Sequence, residues 1–357
     1  MNTLNRTLDL IEPANQAIYN ETCLLIDNLT KPIGSLGKLE TITAKIMSIF
    51  GKIQPMTFKK TTIIMCADNG VVEEGVSACP QSVTHTVTEN FTKDITAISK
   101  LSTFFGSDTT IIDIGVKGEF NNPLIHHYKV LDGTNNMTYG PAMTQEEVLK
   151  AINTGIQMVD KLVASGYNLL GTGEMGIGNT TTSAAVLCAL EGLPVDLVTG
   201  KGAGITPSQH KLKQEVILKA IKLNNPREQD VIDVLSKVGG LDIAGLCGCF
   251  LGAAKNKTPI VIDGFISAVA ALCAFRLAPN TIDYMFPSHL SQEPGIGYVM
   301  DILGLKPFLN LDLRLGEGSG CPIAFNIIES AIYTLLHMGT FEDAHVDSTT
   351  YIDIRED

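Results

Sequence analysis

Six short runs of aliphatic and β-branched residues constrain this chain more than any other feature: 61–68 (TTIIMCAD), 109–116 (TTIIDIGV), 168–174 (NLLGTGE), 195–200 (VDLVTG), 259–264 (PIVIDG) and 281–286 (TIDYMF). Hydrophobicity within them is continuous rather than alternating, the pattern of a strand covered on both faces. Helical stretches such as Glu146–Ser165 and Leu241–Ala254 separate most of the runs. Strand and helix in repetition predict an α/β fold, a mostly parallel sheet with helices on both faces.

The two ends read differently. In Ser35–Phe50 the residues Leu36, Leu39, Ile42, Ile46 and Ile49 recur at three- and four-residue steps, predicting a helix with Ser35 as its N-cap. Pro322–Met338 reads as another helix, with Pro322 suited to its first turn. Helical ends around a βα core predict a small helical lobe built from 1–58 and 321–357, beside an α/β domain at 59–320.

Composition narrows the function. Of 357 residues, 45% are hydrophobic and 18% charged, enough apolar material for a large core and too much for disorder. Lys+Arg 26 against Asp+Glu 38 gives a net charge of −12, which argues against nucleic acid or an anionic membrane as a partner. Any anion must then be held locally, by backbone N–H groups and one or two placed cations. The longest uncharged apolar stretches, Ile243–Ala254 and Phe265–Phe275, fall short of the ~18 residues that suggest a membrane span. No signal-peptide pattern opens the chain, and the scattered cysteines fit reduced thiols, so a cytoplasmic protein is expected. Cys247 and Cys249 form a C-x-C without a second pair or nearby histidines, so no zinc or other metal site is expected. His126 and His127 fall on opposite faces of a predicted strand and cannot grip one ion together.

Ligands of open α/β sheets bind beyond the carboxyl ends of the strands. Those ends carry Asp68, Glu174, Gly200–Gly204 and Asp263–Gly264. The segment Gly171–Thr182 (GTGEMGIGNTTT) follows a strand and precedes a helix expected at Ser183–Leu190. It reads as a phosphate cradle, with helix N–H groups pointing outward and Asn179, Thr180 and Thr181 adding donors, or else as a glycine turn with threonine caps. Gly200–Gly204 (GKGAG), also read as following a strand, is a second candidate, with Lys213 as a cation. Gly171, Gly173 and Gly176 match G-x-G-x-x-G, with Asp196 about twenty residues on. Against a dinucleotide site stand the motif's mid-chain position and Glu174 inside the expected turn.

In Leu309–Pro322 (LNLDLRLGEGSGCP) a short strand is expected to deliver Glu317 into a loop crowded by Gly316, Gly318 and Gly320. Glu317 is either a general base or a solvated loop acid. Asp68-Asn69-Gly70 is adequately a turn. His289 in PSHLSQEPG lacks the serine and acid of a catalytic triad.

In order along nearly the whole chain, KPIGSLGKLE (31–40), CADNGVVEEGVSACPQSVT (66–84), GTGEMGIGNTT (171–181), KVGGLDIAGLCG (237–248), DGFISAVAAL (263–272), SHLSQEPG (288–295) and LRLGEGSG (313–320) resemble the nicotinate-nucleotide–dimethylbenzimidazole phosphoribosyltransferase family. That resemblance implies a Rossmann-like sheet with a small helical lobe, a homodimer, and transfer of phosphoribose from nicotinate mononucleotide to 5,6-dimethylbenzimidazole for the lower-ligand nucleotide of cobalamin. It implies Glu317 as the catalytic carboxylate and Glu174 as a second active-site acid. Contacts to the mononucleotide fall at Gly176, Gly178, Asn179, Thr180, Thr181, Gly202, Lys213, Gly264 and Ser291. The base pocket falls at Cys79, Pro80, Val87, Met175 and Leu315. No cofactor is implied. Where many members have Ser before the proline and Gln nearby, this chain has Cys79 and Val87, so purines or phenols stay open as acceptors. An NAD-dependent oxidoreductase and a non-catalytic nucleotide-binding subunit are the competing readings.

Overall fold

A computed structural model describes residues 3–54, 56–347 and 353; the remaining ends of the expected helical lobe, 1–2 and 348–357 apart from 353, lie outside the described residues. Among these, one six-stranded sheet is formed by β1 (Lys60–Ala67), β2 (Asp108–Gly115), β3 (Ile125–His127), β4 (Leu169–Met175), β5 (Ile260–Ile262) and β6 (Met285–Pro287). Every neighbouring pair is parallel, in the order β3-β2-β1-β4-β5-β6. Continuous apolar character means here what it was read to mean, since β1, β4, β5 and β6 are buried along their whole length.

The order also locates a crevice. From β1 the chain builds outward through β2 and β3, then returns to the other side of β1 as β4 and continues to β5 and β6. The connections leave β1 and β4 in opposite directions, and their carboxyl ends open between them. There the ladder pairs Met65 with Glu174 and Cys66 with Met175.

Four expectations fail locally. Residues 195–200 are not a strand: Val195–Val198 is a helical turn after Pro194, with the Thr199 amide and hydroxyl both bonded to the Val195 carbonyl. In 281–286 only the end is strand, because Pro279 starts a 3-10 turn through Tyr284 and Thr281 bonds back to the Ala278 carbonyl. Ser35 caps no helix. The helix is Lys38–Phe50, entered through Gly37 at φ 56°, while the Leu36 N–H is taken by Glu40 Oε1 at 3.0 Å. Finally, 309–316 forms no strand: it is tied to 288–292 by a bridge between His289 and Leu309 and by the Gln292 N–H to the Leu313 carbonyl at 3.0 Å, and Asp312 at φ 55° breaks the pleat.

Helix Cys321–His337, with Pro322 in its first turn, packs on β1, β4 and β5 and also on Lys38–Phe50. Helix Leu241–Lys255, buried except for Lys255, crosses Gln145–Ala164 on the sheet. Both cysteines of the C-x-C, Cys247 and Cys249, are free thiols inside it. The crossing is glycine-lined: a Cβ on Gly155 would lie 2.0 Å from the Gly245 carbonyl, and one on Gly248 2.0 Å from the Ile152 carbonyl. Backbone cannot step aside as a side chain can. Gly248→Ala should therefore lower unfolding free energy by about 1–3 kcal/mol, the usual cost of overpacking. Gly140→Ala, with nothing within 4 Å, should stay within about 0.5 kcal/mol of wild type. Chemical denaturation of both variants checks this, and equal midpoints would show that the two helices can separate at no cost.

Candidate active site

The crevice deepens into a cavity of about 540 Å³ whose wall runs from Val76 and Cys79 through Glu174–Thr180 to Gly316 and Glu317. Its chemistry divides into an anion end, an acidic floor and an apolar end.

The anion end begins where β4 finishes. Gly178, at φ 93°, turns the chain into helix Asn179–Glu191 without a side-chain cap; the Asn179 and Thr181 N–H groups bond back to the Gly176 and Gly178 carbonyls at 3.0 and 2.9 Å, and Gly176, Gly178 and Thr180 line the cavity. Gly176 has no room for a side chain, because a Cβ would lie 2.5 Å from the Ala67 carbonyl. The helix starts four residues before Ser183, where it was expected. Thr180 Oγ1 accepts from Lys213 Nζ at 2.9 Å, and the same ammonium donates to the Gly200 carbonyl at 3.1 Å. Lys213 is fully buried, and burial lowers its pKa to about 8 against the opposing pull of Glu293. Gly202, at φ 54°, closes the loop over Thr180 and donates its N–H to Glu293 Oε1 at 2.8 Å. That loop follows the helical turn at Val195–Val198 and not a strand.

Not every expected contact faces the cavity. Thr181 and Lys213 are wholly buried and do not line it, and Asn179 lines it with its side-chain amide engaged on the floor. Gly264, Ser291, Lys201 and Arg314 do line it. Lys201 and Arg314 were missed in the sequence, each passed over as the charged neighbour of a glycine motif.

The floor is a group of carboxyls. Glu174 belongs to β4 itself and not to a turn, and Asn179 Nδ2 donates both to its Oε2 and to Asp242 Oδ2, the latter at 3.0 Å. Burial, with the nearby Asp242 charge second, pushes the Glu174 pKa up to about 8; burial pushes Asp242 up to about 6. Asp242 also escaped sequence reasoning, since an acid at a helix start looks like a cap. Glu317 stands at φ 62° between Gly316 at 82° and Gly318 at 86°, and burial raises its carboxyl to about 7. A side chain at Gly316 would meet Glu174 Oε1 at 2.5 Å. The loop thus brings the two acids expected to act together. His289 lines the cavity too, its Nδ1 bonded to Ser288 Oγ at 2.9 Å, and burial lowers its pKa to about 4 so that it stays neutral.

G-x-G-x-x-G proves to be a packing motif. Gly171 and Gly173 lie within β4, where a Cβ would come within 2.7 Å of Cys321 Cβ and 2.6 Å of the Glu317 carbonyl respectively. Asp196 sits in the Val195–Val198 turn and does not line the cavity.

At the apolar end, Cys79, Met175 and Leu315 line the cavity as expected, and Pro80 does not. Val83 and Val87, one turn apart in helix Ser82–Phe91, face it together. Ile177 joins them, its N–H held by Thr84 Oγ1 at 3.1 Å. Val83 and Ile177 could have been found from the four-residue spacing to Val87 and from the turn they share with Gly176.

Against known proteins, a family model described as phosphoribosyltransferase matches residues 11–346. The nicotinate-nucleotide–dimethylbenzimidazole phosphoribosyltransferase of Clostridium tetani is 52% identical over 357 residues, covering 100% of this chain and 99% of its own. That of Clostridium acetobutylicum is 52% identical over 322 residues, covering 90% and 92%. Among solved structures, CobT from Thermus thermophilus superposes with a TM-score of 0.88 at 36% identity, over 93% of this chain and 99% of that one.

The raised carboxyl of Glu174 has a consequence for stability. Above about pH 4.5 the unfolded chain releases this proton while the native state keeps it until about pH 8. Proton uptake is thus greater in the native state across that window, and the contribution of Glu174 to stability falls as pH rises. Glu174→Gln cannot ionise. Its melting temperature relative to wild type should climb from about pH 5 to about pH 8, and a level or shrinking difference would show that Glu174 ionises freely in the fold.

Proposed function

This chain belongs to the nicotinate-nucleotide–dimethylbenzimidazole phosphoribosyltransferase family, and from that premise we propose that it moves the phosphoribosyl group of nicotinate mononucleotide onto 5,6-dimethylbenzimidazole or a close relative. The products are the α-ribotide, used for the lower-ligand nucleotide of cobalamin, and free nicotinate. One observation carries the reading: a single cavity joins an uncapped helix N-terminus backed by a buried lysine to an apolar slot, with Glu317 between them.

The mechanism follows from that arrangement. The phosphate sits at the helix N-terminus against Gly176, Gly178 and Thr180, with Gly202 beside it and Lys213 behind Thr180, and fixes the ribose against the floor. Fixing both reactants makes the attack an oriented, near-unimolecular step. An unprotonated ring nitrogen of the base attacks C1′ from the face opposite nicotinate. The C1′–N bond breaks and its electron pair returns to the pyridinium, which leaves as a neutral ring. Positive charge developing on the base is removed when its other ring N–H passes a proton to Glu317. Burial that lifts Glu317 to about 7 makes it a stronger base than an ordinary carboxylate near neutral pH. Glu174, raised to about 8 by burial, faces an oxocarbenium-like ribose, with Asp242 behind it, off the cavity wall and joined to it through Asn179.

Base choice is the open side of this reading. Val83, Val87, Met175 and Leu315 offer the acceptor apolar contact, and Cys79 only a weak hydrogen bond. A purine or phenol acceptor is the second reading, favoured by that lack of strong polar partners. The glycines inside β4 speak against a dinucleotide-dependent oxidoreductase.

With nicotinate mononucleotide and dimethylbenzimidazole, the chain should release nicotinate and form the ribotide; no release would end the proposal. Glu317→Ala should keep binding the mononucleotide while turnover falls at least about a hundredfold, and wild-type rates with that variant would remove Glu317 from the chemistry. Because only ionised Glu317 accepts a proton, turnover should fall as pH drops through about 7. When dimethylbenzimidazole, benzimidazole and adenine compete, product ratios should differ by about tenfold, the effect of one neutral hydrogen bond. A thousandfold preference would place selectivity in groups other than Cys79 and Val87.

A further inference from the structure

Asp263 follows β5 directly and is almost completely buried, yet no Lys or Arg pairs with it among the described residues. A buried carboxylate without a cation is costly unless hydrogen bonds replace the lost water. Both its oxygens are used, and on a single loop. Oδ2 accepts the Gly318 N–H at 3.0 Å and Oδ1 accepts the Gly320 N–H at 2.7 Å. Its own carbonyl is fixed by Ser288 Oγ at 2.9 Å, the hydroxyl that also meets His289.

The loop it grips has little reason to hold its shape unaided. Gly316, Glu317 and Gly318 are all left-handed in succession, and Glu317 is the one with a side chain, where such φ values are uncommon. Strained backbone persists only where its surroundings over-determine it. Here the floor of β4 is flush against the loop at Gly173, and the two amides that follow Glu317 at one and three residues are held by one rigid group.

We infer that Asp263 is a positioning residue for the transfer reaction: by clamping the Gly318 and Gly320 amides it holds Glu317 in its left-handed conformation with the carboxyl at the junction of the two ends of the cavity. This rests on Glu317 being the base. A bland alternative is that Asp263 merely favours the start of helix Cys321–His337, as any acid near a helix N-terminus does. The two differ in what they predict.

Asp263→Asn keeps the shape but turns one oxygen into an N–H that faces another N–H, so one anchor is lost. Turnover with nicotinate mononucleotide and dimethylbenzimidazole should fall at least about tenfold, with KM for the mononucleotide within about threefold of wild type. Placed on Glu317→Ala, the same change should cost less than about threefold more, because the residue it serves is gone. Wild-type turnover in the single variant overturns the inference. So does an equal loss in both backgrounds, or a loss confined to KM, either of which assigns Asp263 to folding or to nucleotide binding. Amide hydrogen exchange on the wild-type chain provides a test that needs neither substrate nor variant. Gly318 and Gly320 should exchange as slowly as the ends of β4 and β5, and fast exchange of these two amides overturns the clamp even if Asp263→Asn fails to fold. If wild type releases no nicotinate while both amides are protected, the proposed function has failed and the clamp has not.

Discussion

Two missing Cβ atoms set the geometry of the catalytic end. At Gly171 and Gly173 the strand β4 presents bare backbone, and onto it sit the start of helix Cys321–His337 and the Glu317 carbonyl. Any side chain at either position would lift the loop from the sheet. Glu317 would then move away from Glu174, whose Oε1 already fills the space a residue larger than glycine would need at 316. The site is therefore assembled by close backbone packing between elements far apart in sequence, with side chains added where packing leaves gaps. Flexible glycine loops and a rigid site are compatible here, because the glycines are locked by contact rather than left free.

Electrostatics poses a second problem. A chain of net charge −12 must hold a phosphorylated substrate over several carboxyls. Part of the answer is that burial keeps protons on them: the values of about 8 for Glu174 and 7 for Glu317 lie well above the usual carboxylate range. The floor is thus less negative at neutral pH than a count of acids suggests. The rest lies at the opposite end of the cavity, where the N–H groups of helix Asn179–Glu191 and the buried Lys213 supply positive potential without a surface patch. Local provision of this kind is what the acidic composition demanded.

How much of this could be read from residues alone follows the range of the forces involved. The core strands β1, β2, β4 and β5 and the helices of Gln145–Ala164 and Leu241–Lys255 were readable because apolar runs and periodicity are local signals. The run at 195–200 misled because Pro194 and a threonine bonding back to Val195 outweigh β-branched composition over so short a stretch. Glu317 and Glu174 could be given roles, and Asp263 a place at the carboxyl end of a strand, yet what Asp242 and Asp263 do could not be read. Their role depends on Asn179 and on the amides of Gly318 and Gly320, partners between 55 and 63 residues away that only the fold supplies. The G-x-G-x-x-G match shows the same limit from the other side. Glycine needed for packing and glycine needed for a phosphate are identical letters.

The apolar end of the cavity works under weaker constraints, and this shapes what it can discriminate. Val83 and Val87 come from one helix, Met175 and Ile177 from the end of β4 and its turn, and Leu315 from the Glu317 loop. Leu315 remains 54% exposed, so that wall is open to solvent where the acidic floor is closed. Apolar contact separates similar rings by only about 1–3 kcal/mol per methylene-sized difference. Chemistry, by contrast, is strict: the acceptor must offer one atom to attack C1′ and a proton within reach of Glu317, from a second ring N–H or, in a phenol, from the attacking hydroxyl. A ring with both but altered substituents still meets that demand, and one with no proton to give does not. Selectivity in this chain should therefore follow the proton more than the outline of the ring, because the group that takes the proton is held by the most constrained backbone in the site and the groups that feel the outline are held by the least.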